Sequence, residues 1–463
     1  MIISKLIKIN NSSALHRLKY KNLNFIRCFS DEAGSHFDIV IAGGGMVGTT
    51  LACTLGKNKT LNNKKILLLE ASVNKPWIKS DKYSNRVVSL NPGTHKLFED
   101  NGAWAFIEQH RFHIVKRLEV SDALSETSIT FGKSEHTDTI SYMVENDLVL
   151  EAAKNEAQKC NNLKILYGAK VKNYVLPDYH SDVSNIELEN GEKFTCDLLL
   201  GCDGYNSSVR KAMQVDYVSW NHNQMGVVAT LKFSNKFDNE IAFQRFLPTG
   251  PVALLPLTDE LSSLVWSTTP QEAKRLLGIS EEEFVAEINK AVCGPWKQSS
   301  TVLQATSAFD TLLRALNCSR DHSRKRPPKI ESVEPGSRAA FPYGFGHASQ
   351  YIRKGAALVG DAAHRIHPLA GQGVNLGFGD VACLNKVLGE AVYSGSTLSD
   401  LNHLKDYESA RQKHNVPTML AVEGLHRLYN TDFAPVVLLR GLGLQATHAL
   451  EPLKKIIMAQ GAV

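Results

Sequence analysis

No run of apolar residues in this chain approaches the roughly twenty needed to cross a bilayer. The longest late run, residues 434–444, is broken by Arg440 and two glycines, so any membrane contact is expected to be peripheral. Eight cysteines stand at 28, 53, 160, 196, 202, 293, 318 and 383, with no C-x-x-C pair among them. That spacing argues against a zinc knuckle or disulfide framework and for reduced thiols. There is no internal repeat, which sets aside solenoids and propellers. Acidic residues are missing altogether from positions 1–29.

The last absence decides how the charge is read. Residues 1–29 hold Lys5, Lys8, Arg17, Lys19, Lys21 and Arg27, so the remainder carries 46 bases against 47 acids, a net of −1. The body is therefore not a basic, nucleic-acid-binding surface. A leader that is basic and acid-free, with Ser4, Ser12 and Ser13, has the composition of a mitochondrial transit peptide. Arg27-Cys28-Phe29-Ser30 is similar to a matrix-processing site cut after Phe29. A basic tail without an address is the plainer alternative. With 463 residues, 43% of them apolar, the chain can build two or three packed domains.

What is present begins with an apolar run at 37–42, suited to a buried parallel strand, followed by Gly43, Gly45 and Gly48 in G-x-G-x-x-G spacing. The first glycine permits the tight turn, the second lets backbone approach a pyrophosphate, and the third lets the helix lie close to its strand. The helix predicted over 46–56 then offers free N–H groups and a positive dipole end to phosphate. Residues 65–69 read as a second strand ending at Glu70, the distance expected for an acid holding a ribose hydroxyl. An acid there favours FAD or NAD over NADP, although Glu70 could also be an ordinary solvated strand-end residue.

Further along, residues 85–93 read as a loop entering a helix, and 114–142 as extended segments. A helix follows Asn146, a strand covers 163–175, and a hairpin turns at Asn190-Gly191. Cys196–Gly201 is a buried strand. Four strands between 225 and 268 predict a mostly antiparallel sheet, 271–292 is helical in pattern, and the chain from 380 onward is helical. The stretch 318–335, with Arg320, Arg324, Lys325 and Arg326 before Pro327-Pro328, reads as an exposed loop or as a docking surface for an acidic partner. The strand at 250–257 could line a channel for an oily substrate or be plain sheet core.

Two further motifs carry a resemblance. Asp203-Gly204, with Ser207, Val209 and Arg210, fits D-G-x-x-S-x-V-R, and Gly360-Asp361 opens a block running through His364, His367, Pro368, Gly371, Gln372, Gly373, Asn375 and Gly377. With the first glycine turn, these residues resemble the single-component flavoprotein hydroxylases of the para-hydroxybenzoate hydroxylase type. The 360–377 block, Arg86 with the five residues after it, Val144-Glu145-Asn146 and Gly250–Pro256 look like the ubiquinone-biosynthesis hydroxylases within that family. The leader, the Arg/Lys-Pro-Pro segment and Pro452-Leu453-Lys454-Lys455 look like the mitochondrial branch of that group.

The resemblance covers about residues 36–460 and implies FAD as cofactor. Gly43, Gly45, Gly48 and Glu70 would hold its ADP part, with Arg86, Asn146, Asp203 and Gly204 as further contacts. Gly360 and Asp361 would take the flavin-side hydroxyls, and Pro368, Gly371, Gln372, Gly373 and Asn375 would lie against the isoalloxazine. Arg86 could equally be a surface loop arginine. The implied fold is α/β: a Rossmann-type FAD-binding domain assembled from 36–110, 143–212 and 336–400, an inserted β-sheet substrate domain from 111–142 and 213–335, and a helical C-terminal region at 401–463. The implied reaction is ring hydroxylation of a polyprenylated hydroxybenzoate or phenol with O2, through a flavin C4a-hydroperoxide. Electrons would come from NADPH through ferredoxin reductase and ferredoxin, at the matrix side of the inner membrane, within a complex of ubiquinone-biosynthesis enzymes. No catalytic side chain is assigned, since the flavin carries the chemistry. No metal is expected, because His364 and His367 lack a third ligand at suitable spacing. Two rivals remain: another flavoprotein of this fold, such as a lipid epoxidase or prenyl reductase, and a non-catalytic flavin-binding scaffold.

Overall fold

The computed structural model describes residues 35–132, 139–179, 181–296 and 326–449. The expected transit peptide, residues 318–325 of the basic segment and Pro452–Lys455 lie outside them. Five apolar strands build a parallel core in the order Ala356–Leu358, Lys193–Gly201, Ser35–Ala42, Ile66–Glu70, Leu163–Tyr167. Ile39–Ala42, Ile66–Leu69 and Leu198–Leu200 are at most 2% exposed. Such unbroken apolar runs suit strands covered on both faces. The helices Met46–Lys57, Asn146–Ala157 and Gly373–Tyr393 contribute to the same core. The Asn190-Gly191 turn closes an antiparallel hairpin between Ser184–Leu188 and Lys193–Gly201.

Register matters most here. Ala42 stands opposite both Gly201 and Leu69, and Gly201 stands opposite Leu358. Three neighbouring parallel strands therefore release the chain at one level, and each release begins a motif: Gly43, Cys202-Asp203 and Gly360. In open parallel sheets ligands bind in the crevice at these carboxyl ends.

The second sheet is nine-stranded, with Tyr217–Phe233 pairing antiparallel to Leu261–Thr268 and to Ala339–Ala348. Only one pair in it, Ile241–Leu247 with Arg117–Asp122, is parallel among the described residues. One face of this sheet packs on the helices Pro270–Gly278 and Glu281–Cys293 through Val227, Leu231, Phe243, Val252, Leu254 and Leu264. The strand Gly250–Pro256 thus gives Val252 and Leu254 to that core. Leu255, on the opposite face, is half-buried beside Val87 and Leu118. The helical stretch predicted over 271–292 is two helices, because Ser280 and Glu283 form a capping box that starts a new one.

Val87–Leu90, read from sequence as part of a loop, is a strand in a small antiparallel sheet with Ser141–Glu145 and His113–Val115. Four residues are too few for a pattern to separate strand from loop, and the pairing with Ser141–Glu145 supplies the backbone partners. Residues 111–142 divide between this sheet and the large one, which holds Arg117–Asp122 and Ser128–Phe131. Ala339–Ala348, grouped with the cofactor segments in the sequence, lies physically in the large sheet.

The C-terminal helices are Leu401–Tyr429 and Ala434–Ala449. The second is tied down by one buried ion pair. Arg440 Nε and Nη2 each donate to Asp122 at 3.0 Å, and Arg440 Nη1 serves the carbonyls of Leu428, Tyr429 and Thr431. Both side chains are at most 1% exposed. Arg440→Ala leaves the buried Asp122 charge uncompensated, a loss of about 3–5 kcal/mol. A fall of several degrees in melting temperature is expected. Arg440→Lys should recover little of it, because an ammonium cannot reproduce the planar fork.

Candidate active site

The first turn is shaped by steric necessity. Gly43 has φ +103°, and a Cβ there would lie 2.5 Å from the Cys202 carbonyl oxygen. Only glycine takes this conformation and this approach without strain. A Cβ on Gly48 would lie 1.9 Å from the Gly43 carbonyl. Gly45 starts the helix with no side-chain cap and has open space beside it, so the first N–H groups of the helix remain available to an anion. Glu70 supports the turn from the side: Oε2 accepts from Gly44 N and Oε1 from Ser72 N, both at 2.7 Å. Each oxygen keeps acceptor capacity for a further hydroxyl.

At the second strand end, Asp203 Oδ2 accepts from Ser208 N and Val209 N at 2.6 and 3.1 Å, opening the short helix Ser208–Met213. Asp203 Oδ1 is buried with no partner, as is Asn146 Oδ1. Asn146 N donates to the carbonyl of Arg86 at 3.0 Å, which brings those two residues together. Glu145 sets the same corner through a bidentate bond from Arg111 at 2.6 and 2.9 Å and a 2.6 Å bond from Ser84 N. Arg86 itself is exposed.

The third strand end is organised by a residue that the sequence reading passed over. Asp380, on the helix Gly373–Tyr393, is fully buried. Its Oδ2 accepts from Gly360 N at 2.9 Å and meets His364 Nε2 at 2.6 Å. Its Oδ1 accepts from Arg411 Nε at 2.7 Å and Asn415 Nδ2 at 3.2 Å. Burial alone would raise its pKa, but His364 and Arg411 outweigh that and hold the carboxyl far below the ordinary range. The signal was an acid flanked on both sides by apolar residues and glycine, within Leu376–Leu384, which needs buried partners. Arg411 and Asn415 lie on the helix Leu401–Tyr429, so no local pattern could join them to it.

Gly360 turns at φ +64° against Val47, and Gly377 packs on the same side chain, where a Cβ would lie 2.8 Å from Val47 Cγ2. The first and third motifs therefore touch through Val47. Asp361 is accessible to solvent, yet the surrounding protein raises its carboxyl pKa, with His364 and Arg365 pulling the other way. An accessible carboxylate ringed by protein belongs to a cleft. Pro368 begins a short turn that Gly371 ends at φ +63°, and the helix after Gln372 starts without a side-chain cap. Asn375 is spent on protein: Oδ1 accepts from Asn91 N and Thr94 Oγ1, and Nδ2 donates to the carbonyls of Ser89 and Gly371. It braces this turn against the segment after Arg86.

His364 and His367 are both buried and point to different partners. His364 meets Asp380, whereas His367 accepts from Leu369 N at 3.1 Å and contacts Gln224 Oε1 at 3.1 Å. No group of three or more His, Cys, Asp or Glu side chains able to hold a metal ion occurs among the described residues. An extended dinucleotide suits what is here: two uncapped helix starts, orphaned oxygens on Asp203 and Asn146, and open space beside Gly45 and Gly204.

Comparison with known proteins agrees. A family model described as FAD binding domain matches residues 36–312 and 317–419. The mitochondrial ubiquinone biosynthesis monooxygenase COQ6 of Xenopus tropicalis is 45% identical, over 97% of this chain and 98% of its own. That of Drosophila melanogaster is 47% identical over 91% and 89%, and that of Schizosaccharomyces pombe 34% over 91% of each. The chain belongs to the COQ6 family of ubiquinone biosynthesis monooxygenases. Among solved structures, p-nitrophenol 4-monooxygenase PnpA from Pseudomonas putida matches with a TM-score of 0.65 at 16% identity, over 92% of this chain and 99% of that one. The anhydrotetracycline hydroxylase OxyS from Streptomyces rimosus matches with 0.62 at 19%, over 92% and 76%. At those identities the likeness concerns the fold.

Within this COQ6-family fold, Asp380→Ala removes the acceptor that pins Gly360 and leaves Arg411 buried without its carboxylate. Truncating one partner of such a pair costs about 3–5 kcal/mol. A lower melting temperature and loss of FAD on gel filtration are expected. Asp380→Asn keeps the shape but not the charge and should lie between the two.

Proposed function

We propose that the chain binds FAD in extended form across the three strand ends and hydroxylates the aromatic ring of a polyprenylated hydroxybenzoate or phenol in ubiquinone biosynthesis. The observation that carries this is the shared register of Ala42, Gly201 and Leu358, which places the Gly43, Asp203 and Gly360 turns side by side. In this reading the N–H groups after Gly45 hold the pyrophosphate and Glu70 takes a ribose hydroxyl. Asp203 and Asp361 serve the hydroxyls nearer the flavin. The turn Pro368–Gly371 and the uncapped helix start at Gly373 offer backbone N–H groups where negative charge gathers on the reduced ring.

Once bound and reduced, FAD with O2 supplies the electrophilic oxygen. The protein contributes orientation and dryness. Leu255, Val87 and Leu118 give the large and small sheets facing apolar surfaces, suited to an oily substrate. The resemblance to the mitochondrial branch supports action in the mitochondrion, with electrons relayed from NADPH by ferredoxin reductase and ferredoxin, within a complex of pathway enzymes. Peripheral contact with the matrix face of the inner membrane has a physical counterpart. Leu420, Leu425, Leu439 and Leu442 on the two C-terminal helices, and Phe433 between them, are 40–68% exposed, while no described helix is long and apolar enough to cross a membrane.

The purified protein is expected to carry FAD and, with O2 and the ferredoxin couple, to convert a prenylated hydroxybenzoate into a product heavier by one oxygen in mass spectrometry. An epoxide on the chain, a reduced chain or no turnover would sink the proposal. Reduction of the flavin by NADPH alone as fast as with ferredoxin would remove the relay. Leu439→Glu with Leu442→Glu should weaken flotation with liposomes by at least about thirtyfold, since two large apolar groups are each worth on the order of 1 kcal/mol or more of interfacial burial; FAD content should be unaffected.

A further inference from the structure

The turn assigned to the flavin is backed by a cluster of histidines that the reading above does not use. His222 comes from the strand Tyr217–Phe233, at the irregular point where Asn223 has φ +53°. His367 opens the turn itself, and His426 comes from the helix Leu401–Tyr429. Their ring centroids are 5.0 Å apart for His222 and His367, 4.9 Å for His222 and His426, and 4.7 Å for His367 and His426. Tyr343, from Ala339–Ala348, meets His367 edge-on at 4.7 Å. Three imidazoles in van der Waals range leave no room for three charges.

The hydrogen bonds of His367 specify its protonation. Leu369 N–H donates to Nδ1 at 3.1 Å, so Nδ1 carries no proton, and the single ring proton sits on Nε2, aimed at Gln224 Oε1 at 3.1 Å. Gln224 in turn donates to the Thr249 carbonyl at 3.0 Å, at the start of the strand Gly250–Pro256. One neutral tautomer thereby joins the flavin-side turn to the substrate sheet. A second proton on His367 would eject Leu369 N–H and open the turn.

The charged and titratable groups around the cluster are Glu423 and Arg427 on the helix, Arg365 before the turn, and Tyr343 on its strand. Glu423 Oε1 accepts from Arg427 Nε at 2.7 Å. Glu423 Oε2 stands 3.8 Å from His222 Nε2, and both of those atoms are buried without a hydrogen-bond partner. Burial, then His426, pushes His222 down to about 4 despite Glu423. Burial, then His426 and His222, pushes His367 down to about 3.

We propose that His367 is a positioning residue, whose neutral tautomer, shared with Gln224 and enclosed by His222 and His426, holds the Pro368–Gly371 turn in the shape that receives the flavin. It follows that acid releases the turn. The sign is set by linkage: with the turn open, these imidazoles titrate near 6.5, while the closed cluster refuses the proton. The closed form is therefore intact above about pH 6.5 and loses ground as pH falls below it, by up to tenfold per pH unit for each histidine released.

The inference rests on the FAD reading of the site, and the test separates the two. Holoenzyme is titrated from pH 8 to pH 5 while free flavin fluorescence and thermal unfolding are followed. Wild type is expected to release FAD below pH 6.5. His367→Asn can still cap Leu369 N through Oδ1 but cannot be protonated, so it should hold FAD at pH 8 and release it at a midpoint lower by at least half a pH unit. His367→Phe loses the cap and should bind FAD at least about tenfold more weakly at every pH, as removal of one buried acceptor implies. Wild type that keeps FAD to pH 5, or an unchanged midpoint in His367→Asn, overturns the proposal. Protein that carries no FAD even at pH 8 overturns the site reading beneath it. FAD held at pH 8 without ring hydroxylation overturns the activity alone.

Discussion

Much of the site hangs on one carboxylate. Asp380 has no contact with solvent, and its two oxygens are claimed by Gly360 N, His364, Arg411 and Asn415. A charge in that position is tolerable only because two potential cations and two polar N–H donors surround it. In return it locks the start of the third turn to the helix that follows it and to the long helix Leu401–Tyr429. Removing Asp380 takes the shared acceptor from all four at once, which is why the network behaves as a unit.

Around that anchor the three cofactor turns are arranged by close packing. Gly43 lies against the Cys202 carbonyl, and Gly360 and Gly377 lie against Val47. A Cβ at Gly43 or Gly377 would clash, and the positive φ of Gly360 strains any other residue, so the turns can be adjacent only with glycine at the crossings. Asn375 then fastens the third turn to Ser89, Asn91 and Thr94. Several residues read as cofactor ligands turn out to have a structural task as well. Glu70 holds Gly44 and Ser72, and Asp203 caps a helix. A ligand oxygen already held in place loses little freedom on binding, so holding the turn and meeting the cofactor are compatible tasks.

Legibility followed range. The glycine turn, the strand leading to Glu70 and the Asn190-Gly191 hairpin were readable because each is encoded within a dozen residues by steric rules. The segment 85–93 was misread because its four strand residues need Ser141–Glu145 to become a strand at all. The break at Ser280 was missed although the capping box is local, since the apolar pattern runs on through it. Asp380 and Gln224 were passed over for a different reason. Nothing near them in sequence shows which atoms they serve, and their partners lie 16 to 35 and 25 to 143 residues away.

The sequence by itself determined the chemistry that the chain can host: glycine where backbone must approach a dinucleotide, acids at strand ends, an acid-free basic leader, and no metal or disulfide spacing. These are local properties of residue type and order. The tertiary structure alone decided that Ala42, Gly201 and Leu358 end at one level, that a buried acid on one helix pins a turn twenty residues earlier, and that three histidines from a strand, a turn and a helix enclose one another. Those outcomes depend on sheet register and on helix docking, which are set by the packing of the whole core and so are not written in any single segment.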